Sequence, residues 1–348
     1  MKMDAQLRQR NHTIDLLRLA AAFSIICLHN FSGSGVAGAE ETVALCRFAV
    51  PLFFMFSGYF AAGFDNKRKL RQFLRILIWA VLGNLMYLAR ELLPQQNAYA
   101  ARMRLSQIFP PGSWRNLLLF NESPISAHLW FLGAFAYVLL LDLLLGWLFD
   151  KLPRWTRWCI TLALMLGGLT TYQLLTRDPG VDFQLYHYRN FLLFGLPFFL
   201  SGKLIRTGSF ARIKKISWWG CLPLVFLAER LAVLEYGSLG PWELYMGSIL
   251  TAFLLIHLAL NHPLYNAPKP VRVLSWLGRE TTLAVYLLHI FFLDFLRGLY
   301  WQHMQWQYEF GIYHLVPLGV FALSLAVGAV LALGRAGVRK LLSKRAHA

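Results

Sequence analysis

Apolar runs long enough to cross a bilayer recur along this chain, separated by short polar turns. A helix of about 20 apolar residues crosses ~30 Å of hydrocarbon at about 1.5 Å per residue. On that measure the pattern predicts spans near residues 14–33, 43–63, 74–93, 127–149, 158–176, 189–205, 216–234, 242–260, 274–298 and 313–334. The ninth is the least regular, because "LGRETT" interrupts its start. The first run is too long for the apolar core of a cleavable signal, and a second follows almost at once, so it reads as a permanent span. The expected fold is an all-α integral membrane protein of about ten transmembrane helices. Residues 1–348 are expected to form a single transmembrane domain with no appended soluble domain.

Composition agrees with the pattern. The chain is 57% hydrophobic with a mean hydropathy of +0.48, too apolar for a soluble domain of 348 residues. A net charge of +17 would by itself suggest a nucleic-acid partner. The distribution of the basic residues points elsewhere. They cluster in "DNKRKLRQFLR", "DKLPRWTR", "KLIRTGSFARIKK", "APKPVR" and the tail "GRAGVRKLLSKR", all on one face of the expected bundle. With the N-terminus, that face carries 23 of the 34 Lys and Arg, and the opposite face carries 5. The other six (Arg18, Arg47, Arg90, Arg230, Arg279 and Arg297) lie within or at the ends of spans. The asymmetry predicts that both termini are cytoplasmic, with membrane lipids and not nucleic acid as the charge's partner. Cys27, Cys46, Cys159 and Cys221 show no CxxC spacing and read as buried inert thiols. The one long outer connection, roughly 95–126, is rich in Pro and Gln and carries Trp114.

Ionisable residues inside spans are costly, so they line cavities or pair. Depth sorts them. Asp15, Arg18, Arg279 and Glu280 fall toward the cytoplasmic side. His29, Arg47, Arg90, Glu91, His128, Glu229, Arg230, Asp294 and Arg297 fall toward the outer side, with His289 between the two groups. Arg90–Glu91 and Glu229–Arg230 sit at span ends, where long side chains reach water, and read as structural. Tyr186, His187 and Tyr188 read as an interfacial aromatic belt. Arg18 and His29 differ from these. Eleven residues separate them, about 16 Å along a helix and within roughly 20° of one face. One helix face thus carries a fixed cation low and a titratable base high.

These features resemble the acyltransferase 3 family of integral membrane O-acyltransferases. "IDLLRLAAAFSIICLHN" (14–30) is similar to the family's opening signature, an Arg and a His with ten residues between. "RFAVPLFFMFSGYF" (47–60) resembles its second-span signature, and "KRKLRQFLRI" (67–76) stands where the family also has arginines. "HLWFL" (128–132), "FGLPFFLSGKLI" (194–205) and "LGRETTLAVYLLH" (277–289) resemble later family segments in the same order. In size and in lacking a second domain, the chain is similar to members that O-acetylate an enterobacterial envelope glycan. The resemblance implies a multipass protein of the bacterial inner membrane. It implies transfer of an acyl group, acetyl above all, from cytoplasmic acetyl-CoA to a hydroxyl of an envelope glycan or its lipid-linked precursor. Other branches move acyl groups without completing transfer, or form the membrane part of a serine racemase linked to serine uptake.

For that chemistry a sugar hydroxyl needs a base and the developing oxyanion needs a donor. Histidine titrates near neutrality, which suits His29, about four residues from the outer end of its span, to the base role. Arg47 is expected at a similar depth, to orient the histidine or to bind the oxyanion or an acceptor phosphate. His128 and His289 are further candidates for substrate binding. Arg68, Arg71 and Arg75, with Lys69 among them, are the expected CoA-phosphate site, since guanidinium forks pair with phosphate. The same cluster also serves to set topology. Arg18 would then line the path of the donor's pantetheine arm. No His, Asp or Glu spacing suggests a metal, and no glycine-rich nucleotide loop is present. A transporter or exporter is the competing class, although no paired Gly/Pro-broken helices mark inverted repeats.

Overall fold

The computed structural model describes residues 10–177, 184–208, 246–303 and 312–345. The expected seventh span (216–234), with Cys221, Glu229 and Arg230, lies outside them. Among the described residues every regular element is helical. Among the described residues, six helices are long and apolar enough to cross a membrane: His12–Phe31, Ala39–Ala61, Asn66–Leu92, Ala127–Lys151, Thr282–Leu299 and Tyr313–Arg339. A shorter apolar helix, Gly247–Asn261, covers the expected eighth span.

The chain forms two compact units, residues 54–213 and the residues flanking them on both sides. The flanking unit contains α1 (His12–Phe31), α2 (Ala39–Cys46), the start of α3 (Ala49–Ala61), α10 (Met246–Asn261), α11 (Lys269–Glu280), α12 (Thr282–His303) and α13 (Val316–Arg345). Asn11 starts α1 by accepting a hydrogen bond from the Thr13 amide at 3.0 Å, and its own amide group donates to the Ala259 carbonyl at 2.8 Å. One side chain therefore both caps α1 and ties it to α10. Gly278 lets α11 meet α1 backbone to backbone, because a Cβ there would fall on the Asp15 carbonyl. Ala22 and Ile26 of α1 pack with Val285 and Leu293 of α12 and Val316 and Val320 of α13 to make an apolar seam.

Two expected spans are broken, each for a local reason. In the second, Arg47 and Phe48 separate α2 from α3. Pro51 has no amide hydrogen and its ring opposes the carbonyl of residue 47, so a continuous helix is disfavoured there. In the ninth, α11 ends at Glu280 and α12 begins at Thr282. The Thr281 hydroxyl donates to the Leu277 carbonyl at 2.7 Å and the Thr282 hydroxyl to that of Gly278, so side chains share helix carbonyls at the junction while the Thr281 amide also bonds Leu277 at 2.9 Å.

The central unit holds the rest of α3, then α4 (Asn66–Leu92), α5 (Ala98–Ile108), α6 (Ser113–Phe120), α7 (Trp130–Lys151), α8 (Arg154–Arg177) and α9 (Leu196–Arg206). Asp65 caps α4, accepting from the Arg68 amide at 2.7 Å. The long outer connection supplies α5 and α6. Arg104 of α5 meets Glu91 at 2.5 Å, tying the end of α4 to the outer connection. The expected sixth span shortens to α9, entered through a wide helical turn at Phe191–Gly195. Asn190 holds that turn by accepting from the amides of Leu192 and Leu193 at 3.0 and 2.9 Å. Close approach of α9 to α3 requires Gly58 and Gly202, where a Cβ would overlap the carbonyls of Phe199 and Met55. Tyr188 is buried at 1% exposure, so it belongs to the core and not to an interfacial belt. Cys159 is exposed, unlike Cys27 and Cys46, which share one apolar cluster.

Candidate functional site

The flanking unit carries two polar clusters on α1, one near each end. At its start, Asp15 is 6% exposed and bonded to Arg10 through Nε at 2.8 Å and Nη2 at 2.5 Å. Ser275 of α11 donates to the same carboxylate at 3.2 Å and lies 2.7 Å from His12 Nδ1. Arg18, one turn on, stands 3.8 Å from Asp15, in ion-pair range but beyond hydrogen-bond length. The Asp15 carboxylate is thus committed mainly to Arg10 and Ser275, and Arg18 keeps a looser tie.

At the other end, the His29 ring faces that of His289, with centroids 5.1 Å apart and planes at 44°. The sequence placed His289 between the two depths; the fold brings it to the outer histidine. Val285 and Leu293, one turn either side of His289, pack in the α1–α12 seam, so His289 must project into it as well. It has no exposed surface. Its Nδ1 is 2.7 Å from the Tyr286 carbonyl and 3.2 Å from that of Val285. Carbonyl oxygens only accept, so Nδ1 carries the hydrogen and, in the neutral ring, Nε2 carries the lone pair.

Arg297, half-buried, has its partners on α1. Its Nη2 donates to the His29 carbonyl at 2.9 Å and the Asn30 carbonyl at 2.6 Å, and the Tyr313 hydroxyl donates to Asn30 at 2.8 Å. The last carbonyls of a helix lack intrahelical partners and carry its negative end, so a cation there is stabilising. Arg297 therefore fixes the backbone from which His29 projects. Beside it, the side-chain amide of Asn30 is fully buried with neither polar atom hydrogen-bonded among the described residues. Such an amide in an apolar seam is a group awaiting a partner. Adjacency to His29 was its signal in the sequence.

Arg47 stands at the α2–α3 break, 6% exposed, next to Cys46, which packs with Cys27 of α1. Arg47 therefore follows a residue that packs against the second half of α1. His128 belongs to the central unit. It is buried, with Nδ1 2.9 Å from the Ser126 hydroxyl and its ring edge-on to Tyr87 at 4.7 Å, which reads as packing.

On α4, Arg68, Arg71 and Arg75 recur at intervals of three and four residues, along one exposed helix stripe. The Arg68 guanidinium lies 5.1 Å over the Phe64 ring, and Arg71 Nε contacts the Lys67 carbonyl at 3.3 Å. Lys69 departs from the expectation. It turns inward to Asp142 of α7 at 2.9 Å, and Lys203 of α9 meets the same carboxylate at 2.6 Å and Asp150 at 3.1 Å. Lys69 is therefore structural and not a phosphate ligand. Asp142 escaped the sequence reading even though it is the lone charge within "FLGAFAYVLLLDLLLGWLF", a signal that a buried partner exists.

The family model described as an acyltransferase domain matches residues 11–334. A serine/alanine racemase of Enterococcus gallinarum is 26% identical over 302 residues, covering 80% of this chain and 40% of the relative. An amino-acid racemase of Enterococcus faecalis is 26% identical over 185 residues, covering 50% of this chain and 25% of the relative. The chain thus spans less than half the length of these curated relatives. No solved structure matches it.

Proposed function

The chain belongs to the acyltransferase 3 family of membrane proteins, and from that premise we propose that it is an O-acyltransferase of the bacterial inner membrane. It takes an acyl group, acetyl in the simplest case, from cytoplasmic acyl-CoA to a hydroxyl of an envelope glycan or a lipid-linked glycan. In this reading about ten spans place both termini in the cytoplasm, and the two units together make one transmembrane domain.

The observation that carries the proposal is the end of α1. His29 lies one helix face above Arg18, its backbone is anchored by Arg297, and its ring faces His289. His29 acts as general base. It takes the proton of the acceptor hydroxyl while that oxygen forms a bond to the acyl carbon. The carbon–sulfur bond then breaks, and His29 returns the proton to the departing thiolate. The Asn30 amide and Arg47 are the donors for the negative charge that builds on the acyl oxygen. Arg68, Arg71 and Arg75 fit the donor's phosphates, being exposed, aligned on one stripe and geometrically suited to paired contacts. Arg18 accompanies the thioester arm along α1.

The test uses the purified full chain, radiolabelled acetyl-CoA and total envelope glycan. Label should appear in the glycan with the native chain and fall by about 10²–10⁴ with His29→Gln, the usual worth of a positioned base. A folded His29→Gln protein with full activity would return this histidine to a packing role.

A further inference from the structure

We propose that α11 lies in the membrane interface beside the start of α1, and that its basic arc, with the end of α13, holds the phosphate headgroup of an anionic phospholipid. The 12 residues of α11 extend about 18 Å, short of ~30 Å of hydrocarbon. The chain does not need them to cross, because Thr282–Leu299 of α12 is long and apolar enough alone. The expected ninth span thus divides into a crossing helix and a short one packed on the first turns of α1. Ser275 donates to the Asp15 carboxylate at 3.2 Å, and Gly278 lies against the Asp15 carbonyl.

At roughly 100° per residue, α11 presents three arcs. Val271, Ser275 and Gly278 share the arc that meets α1. Lys269, Arg272 and Arg279 form a second, with Trp276 among them. Pro270, Val273, Leu274 and Leu277 form the third, directly beside the basic one. Val273 and Leu274 in that apolar arc are 50% and 45% exposed. Lys269 and Arg272 are exposed and have no hydrogen-bond or ion-pair partner among the described residues. Arg279 holds Glu280, the one carboxylate of α11, at 2.6 Å. The end of α13 adds further cations. Gly328 packs against Thr281 and Ala284, and two turns on Arg335 Nη2 reaches the Glu280 carbonyl at 3.4 Å. Arg339, one turn further, is exposed as well. A soluble phosphate compound would answer these cations and leave the apolar arc in water. A phospholipid answers both, since its acyl chains lie next to its phosphate. Adjacent basic and apolar arcs on a short helix, with a tryptophan among the cations, suit a helix lying in the interface. A headgroup held there steadies α11 and, through Ser275, the first turn of α1.

The test is quenching of Trp276 in the purified full chain by phosphatidylglycerol brominated on its acyl chains, in mixed micelles. The Trp276 signal is the difference between each protein and its Trp276→Phe counterpart. Phosphatidylglycerol should bind at least about tenfold more tightly than brominated phosphatidylcholine. A basic residue near an anionic headgroup is worth roughly fivefold in affinity, so Lys269→Gln/Arg272→Gln should weaken phosphatidylglycerol binding about thirtyfold. Arg272→Gln alone should weaken it about fivefold. Arg102→Gln/Arg115→Gln, an equal loss of exposed charge in the outer connection, should change it less than about twofold. Glycerol 3-phosphate and acetyl-CoA, which bring phosphate without lipid chains, should not displace the lipid. The proposal is overturned if Trp276 is not quenched, if the two lipids bind alike, if both double variants lose affinity equally, or if either soluble compound displaces the lipid. Should Lys269→Gln/Arg272→Gln fail to fold, Arg272→Gln decides by its own fivefold loss. None of these readouts depends on acyl transfer, so failure of the lipid site and failure of the reaction proposed above are told apart.

Discussion

Removing the Asp142 carboxylate is the sharpest test of how the central unit is held together. Asp142 is 5% exposed and lies mid-way along α7, between two ammonium groups at 2.9 and 2.6 Å. In Asp142→Leu, Lys203 keeps Asp150, a residue whose side chain is 47% exposed and therefore well screened. Lys69 keeps only a 3.4 Å approach to the backbone carbonyl of residue 142. Two buried cations then face each other with no carboxylate between them. Breaking a buried pair from one side typically costs about 3–5 kcal/mol, most of it the desolvation of the charge left behind. Asp142→Asn keeps the shape and one acceptor, so its loss should fall near the lower end. The triple change Lys69→Met, Asp142→Leu and Lys203→Met removes all three buried charges and should recover most of the stability, since an apolar replacement of a buried ion cluster is often close to neutral. Stability is read by denaturant titration of the purified proteins in one detergent. A native-like midpoint for Asp142→Leu, or a triple variant less stable than the single one, would refute the electrostatic account of this contact.

Two further outcomes test the donor side and the topology. Arg71→Ala and Arg75→Ala should each raise KM for acetyl-CoA about tenfold, the worth of one charge-assisted contact, and leave KM for glycan near native; unchanged donor kinetics in both would leave this stripe as a topology signal alone. Reporter fusions after Gly63 and Arg206 should behave as cytoplasmic and those after Gly38 as external, and the inverse result would remove the cytoplasmic-donor argument.

Local signals carried much of this fold, and long-range partners carried the rest. The span from His12 to Phe31 was legible because length, hydropathy and the Arg18–His29 spacing all depend on neighbours in sequence. The α2–α3 break was legible in principle from Pro51, since a proline's effect is confined to its own turn. His289 reads as lying between the two depths, and the fold sets its ring beside that of His29, a proximity that spacing along one helix does not encode. The task of Arg297 was not legible, since helix carbonyls are invisible to a reading of side chains. Lys69, Asp142 and Lys203 form a contact among three helices whose residues obey no common spacing. Such a cluster exists only once the helices have packed.

The buried and half-buried charges described above separate by the kind of group that answers each one. Arg297 is answered by helix carbonyls, Lys69 and Lys203 by Asp142, and Asp15 mainly by Arg10. Each of these contacts is complete within the protein and fixes one helix against another, which is how a costly buried charge is retained for structure. His29 and His289 are answered differently. Their rings lie against each other, and His289 Nδ1 turns back to the carbonyls of its own helix. Asn30 beside them keeps a whole amide without a hydrogen-bonding partner. A buried amide without a hydrogen-bonding partner among the described residues, next to a backbone held in place by Arg297, is a group the proposed reaction centre could use. That contrast, more than the presence of any one residue, points the chemistry to the end of α1.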